Sequence, residues 1–493
     1  MAKKKVCIVG AGVSGLATAK VFRSGGHEVA VFDKVEALGG VWAPSRRHPG
    51  LRLQTVRDCY AFSDFPMPAH YPEFPSGQQI HDYLVAYATH FGIIESIRLN
   101  NEVTQIVPRP DGAGGWRVHV RDLTSGTERA ADFDFVVVCN GVFSEPKIPQ
   151  IAGRDAFEAT GGRALHSSQI PDGRPLQGRD VVVVGFGKSA LDIAEASLGT
   201  ARSTAMVARR IPWKVPHRIF GRAHIKYFVL SRFTELWYPA SEAGWQRRIL
   251  APLVDAYWRI AERIIARQIG FTAPALRPDV PLRQAGGCLT LTLDNLKAIR
   301  ERRIALHRGA LARFTPSGIE LDSGERIPAQ TVIFATGYRQ DCPFLGAREK
   351  AALFDADGAM LLYRFLINPD IPAMGFNGYN GVGSCQLVAE VGACWLVQLL
   401  DGCISLPDRA AMQREIRKEI ALRRKLLAVP HGVGFYATPL TMGYLDRLLA
   451  DMGLPPADRH RRFFDWLFTP LDPRDYRDLL ARKGAHACKR ASS

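Results

Sequence analysis

The sequence lacks the features that mark several large classes of protein. Its nine cysteines are an odd number and form no C-x-x-C pair, which argues against a disulfide framework and a thiolate metal site. No uninterrupted apolar run reaches the roughly 18 residues that a membrane span needs. Zinc-finger spacing, long basic tracts and aromatic RNA-binding boxes are also missing, so nucleic acid is not an expected partner. We therefore expect a cytoplasmic protein without a bound metal ion.

Length and charge narrow the class further. The 493 residues exceed what one hydrophobic core usually supports, so two domains are expected. The 64 basic and 48 acidic residues give a net charge of +16. Because the basic residues are scattered, the charge suits attraction to anionic cofactors, with contact to a membrane surface as the alternative.

Two glycine-rich turns of the dinucleotide-binding type are the most informative feature. Each follows a β-branched run and opens an apolar helical stretch, the context that makes such a motif credible. The first glycine makes the turn, the second lets the backbone approach a pyrophosphate, and the third position packs helix on strand. A chain that holds two dinucleotides is built to pass electrons between them. The turns comprise Gly10, Ala11, Gly12, Val13, Ser14 and Gly15, and then Gly185, Phe186, Gly187, Lys188, Ser189 and Ala190.

The residues that end the next strand in each unit indicate which nucleotide goes where. Asp33 ends the strand after the first turn, where a carboxylate can accept hydrogen bonds from both ribose hydroxyls of FAD or NAD. Arg209 and Arg210 end the strand after the second turn, and guanidinium groups favour a 2′-phosphate. The second nucleotide is therefore predicted to be NADPH.

Three further segments resemble the flavin-containing monooxygenase family, and the similarity runs from Lys5 to about Leu400. They are residues 32–42, similar to E-K-x-x-x-x-G-G-x-W, residues 162–167, similar to G-x-x-x-H-S, and residues 332–338, similar to A-T-G-Y. Thr160 and Lys188 depart from the pattern, since the family has phenylalanine and often asparagine there. The resemblance implies FAD and NADPH as cofactors, with cofactor-binding roles for Lys34, Gly40, Trp42, Ala335, Thr336 and Gly337.

The resemblance also implies a reaction. NADPH reduces FAD, dioxygen adds at the flavin C4a, and the resulting hydroperoxyflavin gives its distal oxygen to a soft nucleophile. Gln54 aligns with an asparagine beside the flavin and nicotinamide, so it is the predicted catalytic residue and, with Thr55, a predicted cofactor contact. The stretch 51–68 looks most like the plant branch that N-hydroxylates a cyclic amino acid. N-hydroxylation of a small amine is therefore favoured, with S-oxygenation of a thioether next.

Two other functions remain open from the sequence. Baeyer-Villiger monooxygenases share the layout but end their fingerprint in H-x-x-x-W-P, and residues 166–171 lack that tryptophan. An FAD-dependent electron carrier or quinone reductase would carry the same two turns. A disulfide reductase is disfavoured because Cys59 has no nearby partner cysteine.

The order of the motifs predicts an α/β protein with two Rossmann-like domains, in which the NADPH domain is inserted into a discontinuous FAD domain. A capping box at residues 76–79 should open a helix through about Phe91. The strand near 331–337 should return the chain to the first domain. The expected boundaries are 1–160 and 325–493 for the FAD domain, with C-terminal helices in the latter, and 165–324 for the NADPH domain.

A helical insertion is expected within the NADPH domain at about 211–285. Arg259, Arg263 and Arg267 lie on one face of its longest helix. A packed cap over the nucleotide cleft is favoured, and a helix lying on a membrane surface is the alternative. The apolar positions that recur at helical spacing are Leu250, Leu253, Val254, Tyr257, Ile260, Ile264 and Ile265, before Ile269.

Overall fold

The structure is a computed structural model that describes residues 3–237, 244–271, 274–285, 289–291, 294–380, 383–426 and 441–484. The strands are β1 (Lys5–Val9), β2 (Glu28–Phe32), β3 (Ile97–Arg98), β4 (Asn101–Pro108), β5 (Trp116–Asp122), β6 (Glu128–Phe133), β7 (Phe135–Val138), β8 (Glu145–Pro146), β9 (Arg163–His166), β10 (Asp180–Val184), β11 (Ser203–Ala208), β12 (Lys214–Pro216), β13 (Arg218–Ile219), β14 (Ala223–His224), β15 (Leu289–Leu291), β16 (Ala305–Arg308), β17 (Leu311–Thr315), β18 (Gly318–Leu321), β19 (Arg326–Pro328), β20 (Thr331–Phe334), β21 (Tyr338–Arg339) and β22 (Met374–Phe376). The helices are α1 (Val13–Ser24), α2 (Gly77–His90), α3 (Arg154–Ala159), α4 (Lys188–Ser197), α5 (Lys226–Val229), α6 (Arg232–Trp237), α7 (Gly244–Ile269), α8 (Asp294–Arg300), α9 (Ala347–Leu353), α10 (Cys385–Leu400), α11 (Arg409–Leu426), α12 (Thr441–Asp451), α13 (Phe463–Phe468) and α14 (Arg477–Gly484).

The first domain is built on a five-stranded parallel sheet in the order β22-β7-β1-β2-β3. Alternate residues of β1 point to opposite faces, as strand geometry requires. Val6 and Ile8 pack into a core shared with α1 and α10, whereas Cys7 and Val9 pack towards the antiparallel sheet β4-β5-β6. Because both faces are covered, the four residues of β1 that follow Lys5 form a continuous apolar run.

The second domain repeats this plan with the parallel sheet β16-β11-β10-β20-β9. Val181 and Val183 of β10 pack with α4 and α8, and Val182 packs towards the antiparallel sheet β17-β18-β19. The predicted fold class, an α/β protein with two Rossmann-like domains, is confirmed.

One predicted boundary is wrong. The strand before Ala335 does not return the chain to the first domain, because β20 pairs in parallel with both β9 and β10. All four residues of β20 are buried, as expected of an interior strand of a parallel sheet. The second sheet therefore extends past residue 325 to Phe334. The chain rejoins the first sheet at β22, beside β7.

The connections between the domains lie side by side. The outgoing strand β8 and the returning strand β21 form an antiparallel pair, with Pro146 opposite Tyr338. The two domains are thus joined by a short, directly paired segment.

The insertion contributes to the core of the second domain through only part of the predicted stripe. Ile265 and Ile269 of α7 are buried in that core. Leu253 and Ile260, one heptad apart on another face, are 61% and 57% exposed. The prediction of one buried apolar stripe is therefore wrong, because α7 has two apolar faces and only one packs inward. The side chain of Leu250 lies outside the described residues.

A buried ion-pair cluster joins the insertion to the C-terminal helices. Arg232 of α6 pairs with Asp446 of α12 at 2.7 Å and with Asp458 at 2.7 Å. Within the described ranges, no helix combines the length and apolar character needed to cross a membrane. These ranges also hold no group of three His, Cys, Asp or Glu side chains placed to bind a metal ion.

Candidate functional site

The first glycine of each turn lies against the backbone at the end of the adjacent strand. Gly10 has a φ of +107°, and a Cβ there would lie 2.6 Å from the carbonyl oxygen of Cys139, just after β7. Gly185 has a φ of +128°, and a Cβ there would lie 2.5 Å from the carbonyl oxygen of Ala335, just after β20. The two turns share one geometry, and neither position tolerates a side chain.

The second glycine of each turn has no such constraint from the protein. Gly12 and Gly187 are the N-caps of α1 and α4, with ordinary φ values of −78° and −79°. A Cβ at Gly12 would meet its nearest atom, the Cα of Gly40, at 3.5 Å, and one at Gly187 would meet no atom of the described residues within 4 Å. Close approach of a pyrophosphate to the helix N-terminus supplies the missing reason for glycine. Both turns therefore fit a dinucleotide.

Asp33 lies beside the first turn, directly after β2. Its carboxylate accepts hydrogen bonds from the backbone N–H groups of Ala11 at 2.7 Å and Val35 at 3.0 Å. Burial raises the pKa of the Asp33 carboxyl, and these two N–H groups oppose that rise. A carboxylate offers about four lone-pair sites, so acceptor capacity remains for ribose hydroxyls. The predicted role of Asp33 is compatible with this geometry.

The segment after Asp33 folds back over the first turn. Gly40 lies against the second glycine of that turn, and the buried Trp42 donates its indole N–H to the Tyr60 hydroxyl at 3.2 Å. Lys34 instead pairs with Glu145 of β8 at 3.5 Å. The structure thus brings Gly40 and Trp42 to the turn and places Lys34 at the interdomain connection.

The second turn holds an internal ion pair. Lys188, the first residue of α4, pairs with Asp192 one helical turn later. Burial raises the pKa of the Asp192 carboxyl to about 6, and the Lys188 ammonium opposes that rise. The lysine that departs from the family pattern therefore has its counter-ion on the same helix. Ser189 is half-buried, and Ala190 is fully buried beneath the turn.

Arg209 and Arg210 follow β11 and are both exposed. Neither has an ion-pair partner among the described residues, whereas Arg308, at the end of the neighbouring β16, pairs with Asp279 at 2.6 Å. The two guanidinium groups are thus available to an anionic ligand at the strand end where the sequence predicts the 2′-phosphate.

Gln54 and Thr55 lie in the irregular loop that precedes α2, and both are half-buried. This loop faces the segment that opens α10. A Cβ at Gly383 would lie 3.0 Å from the Thr55 hydroxyl oxygen and 3.8 Å from a methyl carbon of Leu230. The loop, α10 and the insertion therefore meet at one place. The roles predicted for Gln54 and Thr55 stay predictions.

The Ala-Thr-Gly segment lies where the second turn meets the interdomain connection. The Thr336 hydroxyl donates to the carbonyl oxygen of Lys147, and the His166 ring contacts the Gly337 carbonyl oxygen at 3.0 Å. The buried His166 also packs edge-on against Tyr338, with ring centroids 4.9 Å apart. Burial lowers the pKa of His166, so this histidine serves as a neutral interdomain anchor.

The segment that returns the chain to the first domain contacts the first turn, and this contact was not predicted from the sequence. A Cβ at Gly378, where φ is +92°, would lie 2.2 Å from the Ser14 hydroxyl oxygen. The amide of Asn377 donates to the Thr18 hydroxyl at 3.0 Å and to the Ala389 carbonyl oxygen at 2.8 Å. The Asn-Gly dipeptide directly after an apolar strand indicates a turn at this place, but it does not specify which segment the turn contacts.

Several known proteins are similar to this chain. The family model described as FMO-like, flavin-binding monooxygenase-like, matches residues 3–448. The probable flavin-containing monooxygenase 1 of Arabidopsis thaliana is 28% identical over 522 residues, covering 97% of each chain. The S-allyl-L-cysteine S-oxygenase of Allium sativum is 19% identical with a TM-score of 0.63, covering 98% of this chain and 92% of that one. The NADP⁺-bound cyclohexanone monooxygenase of Rhodococcus sp. Phi1 is 18% identical with a TM-score of 0.68, covering 91% and 97%.

The solved structures share the two-domain fold, and the family model and the plant relative extend along nearly the whole sequence. They confirm the predicted resemblance and the predicted class of enzyme. The chain belongs to the flavin-binding monooxygenase-like family and is a flavin monooxygenase.

Proposed function

We propose that this enzyme transfers one oxygen atom of dioxygen to the nitrogen of a small amine or, as the next choice, to the sulfur of a thioether. FAD binds at the first glycine-rich turn and NADPH at the second. When bound, FAD supplies the redox chemistry, taking a hydride from NADPH and passing electrons to dioxygen.

One observation carries the assignment of the cofactor sites. The two turns have matching backbone geometry, and in neither does the described protein come closer than ordinary van der Waals distance to a Cβ placed at the second glycine. A glycine that the protein itself does not require is accounted for by a ligand. The different neighbours of the turns, Asp33 at the first and Arg209 with Arg210 at the second, support FAD and NADPH respectively.

The residues of the chain then act mainly by holding and orienting. Asp33 accepts hydrogen bonds from the ribose hydroxyls of FAD, and the two arginines neutralise the 2′-phosphate of NADPH. Gln54 presents its amide from the loop that meets α10, where it helps to hold the flavin and to exclude water. His166 has no part in proton transfer, because its ring nitrogens are engaged by Ser168 and the Gly337 carbonyl.

The state of the cysteines supports the predicted cytoplasmic location. None of the seven cysteines in the described part of the chain forms a disulfide. Thiols persist in reducing compartments and pair in oxidising ones. Fractionation of the native host, with the protein detected by antibody, tests this location.

A substrate screen under isotopically labelled dioxygen tests the proposed reaction. Matched amines, thioethers and ketones are incubated with the enzyme and NADPH, and the masses of the products are measured by mass spectrometry. We expect one labelled oxygen atom in an N-hydroxylated or S-oxygenated product. A labelled ester or lactone from a ketone would instead indicate Baeyer-Villiger chemistry. Oxidation of NADPH by a quinone, with no label in any product, would indicate a reductase.

A further inference from the structure

A second candidate site lies where the insertion meets the first domain. A cavity of about 520 Å³ opens between the loop before α2 and the β13-β14 hairpin with the following α5. Its volume falls in the usual range for small-molecule sites, roughly 300 to 1,000 Å³. Its polar lining is formed by Glu73, Arg218, Arg222, His224, Lys226 and Tyr227.

The charges of this lining do not balance. Glu73, the only acidic residue in it, is paired with Arg218 at 3.0 Å, and the His224 ring lies 3.2 Å from its carboxylate. Arg222 and Lys226 have no ion-pair partner within the described part of the chain, and the Lys226 ammonium lies 5.5 Å from the centre of the Tyr227 ring. Burial lowers the pKa of His224, so this histidine adds no positive charge at neutral pH. The cavity therefore carries an excess of two positive charges.

The cavity wall is also connected to the predicted reaction centre. Lys226 opens α5, and Leu230 just beyond this helix approaches Gly383, which faces Thr55. On the other side, the ring of Phe74 stacks on His217 with centroids 3.9 Å apart, which fixes the hairpin against the loop. A molecule held in the cavity is thus bordered by the same short element that reaches the loop of Gln54 and Thr55.

We infer that this cavity binds the carboxylate of the substrate through Arg222 and Lys226. The substrate class is then a small molecule that carries both a soft nitrogen or sulfur atom and a carboxylate. This inference rests on the proposed oxygenation, and it adds the anionic group by which the substrate is selected. Glu73 holds Arg218 and the hairpin in place and is a positioning residue.

A phosphate of NADPH is the other source of negative charge in this enzyme, so the test separates the two ligands. The probes are the thioether acid 2-(methylthio)acetate and its neutral amide, 2-(methylthio)acetamide, which have nearly the same shape. Their binding to enzyme loaded with FAD and NADP⁺ is measured by calorimetry, which does not depend on turnover. NADPH affinity is measured in parallel.

We expect wild-type enzyme to bind the acid at least about tenfold more tightly than the amide, because charge-assisted contacts to a carboxylate are strong. The double variant Arg222→Met/Lys226→Met should lose this preference while its NADPH affinity stays within about twofold. The matched control Lys297→Met removes a lysine of α8 that is 59% exposed and lies 3.8 Å from Glu301. This control should keep the preference for the acid.

Equal binding of acid and amide by wild-type enzyme would overturn the inference, even if both probes are oxygenated. A fall in NADPH affinity in the double variant, with the preference for the acid retained, would assign the cations to the cofactor and also overturn it. Preferential binding of the acid that depends on Arg222 and Lys226 supports the carboxylate site. If neither probe is then oxygenated, that result contradicts the proposed function and not the carboxylate site.

Discussion

The choice between NADPH and NADH should depend on two arginines at the end of β11. Arg209 and Arg210 are exposed and have no ion-pair partner among the described residues, so their replacement breaks no ion pair there. The double variant Arg209→Gln/Arg210→Gln removes both charges and retains polar side chains of moderate length. It should therefore fold normally and bind NADPH more weakly.

The size of the effect follows from the exposure of the site. A hydrogen bond to a charged group contributes about 1.5 to 3 kcal/mol, and solvent screening at an exposed site favours the lower end. Two contacts at about 1.5 kcal/mol each would change the preference by about a hundredfold, and loss of a single effective contact by about tenfold. We therefore expect the preference for NADPH over NADH to fall by at least about tenfold, and the effect to shrink as salt is added.

The assay is the rate of flavin reduction under anaerobic conditions, measured with NADPH and with NADH. A matched control is Arg202→Gln, which removes an exposed arginine just before the other end of β11, roughly 20 Å away, where it pairs with Asp180. The control should keep the wild-type preference. Equal use of NADH and NADPH by the wild-type enzyme would refute the reasoning, as would an unchanged preference in the double variant.

Three further predictions concern the loop, the insertion and the second turn. Gln54→Ala should release more hydrogen peroxide per NADPH consumed while flavin reduction stays near normal, and unchanged coupling would make Gln54 an ordinary loop residue. Ile265→Ala should lower the free energy of unfolding by about 2 to 5 kcal/mol because it removes a buried side chain, whereas Leu253→Ala, at an exposed position of the same helix, should cost less than about 0.5 kcal/mol. Denaturant titration compares these two variants, and equal losses would contradict the assignment of the buried face. Lys188→Met should leave the buried Asp192 carboxylate without its counter-ion. Since burial already raises the pKa of Asp192 to about 6, the stability deficit should be larger at about pH 8, where the carboxyl is charged, than at about pH 5, where it is protonated. A deficit that does not change with pH would argue against this pairing.

The parts of the fold that the sequence predicts well are those set by local rules. Ser76 accepts from the Gln79 N–H and the Gln79 side chain accepts from the Ser76 N–H, so the predicted capping box opens α2 as expected. The two glycine-rich turns are also local, because each needs only a strand, a bend and a helix N-terminus. Their positions could therefore be predicted from residue types and spacing.

The errors concern which elements become neighbours. β20 is a short apolar strand that would suit either parallel sheet, and nothing in its own residues specifies that it lies between β9 and β10. The apolar positions of α7 likewise divide between a buried and an exposed face, and the choice is made by the residues packed against them. The contact of Gly378 with Ser14 joins segments far apart in the chain, so local patterns could not reveal it.

The most direct test of the central claim is the visible absorption of the purified protein, together with that of Gly12→Leu. A Cβ at Gly12 would approach the backbone of Gly40 only to an ordinary 3.5 Å, so we expect a leucine there to be accommodated and to block the approach of the pyrophosphate. We predict that the wild-type protein is yellow, releases FAD on denaturation and is bleached by NADPH under anaerobic conditions, whereas Gly12→Leu folds but is colourless. A colourless wild-type preparation that takes up no added FAD would contradict the account.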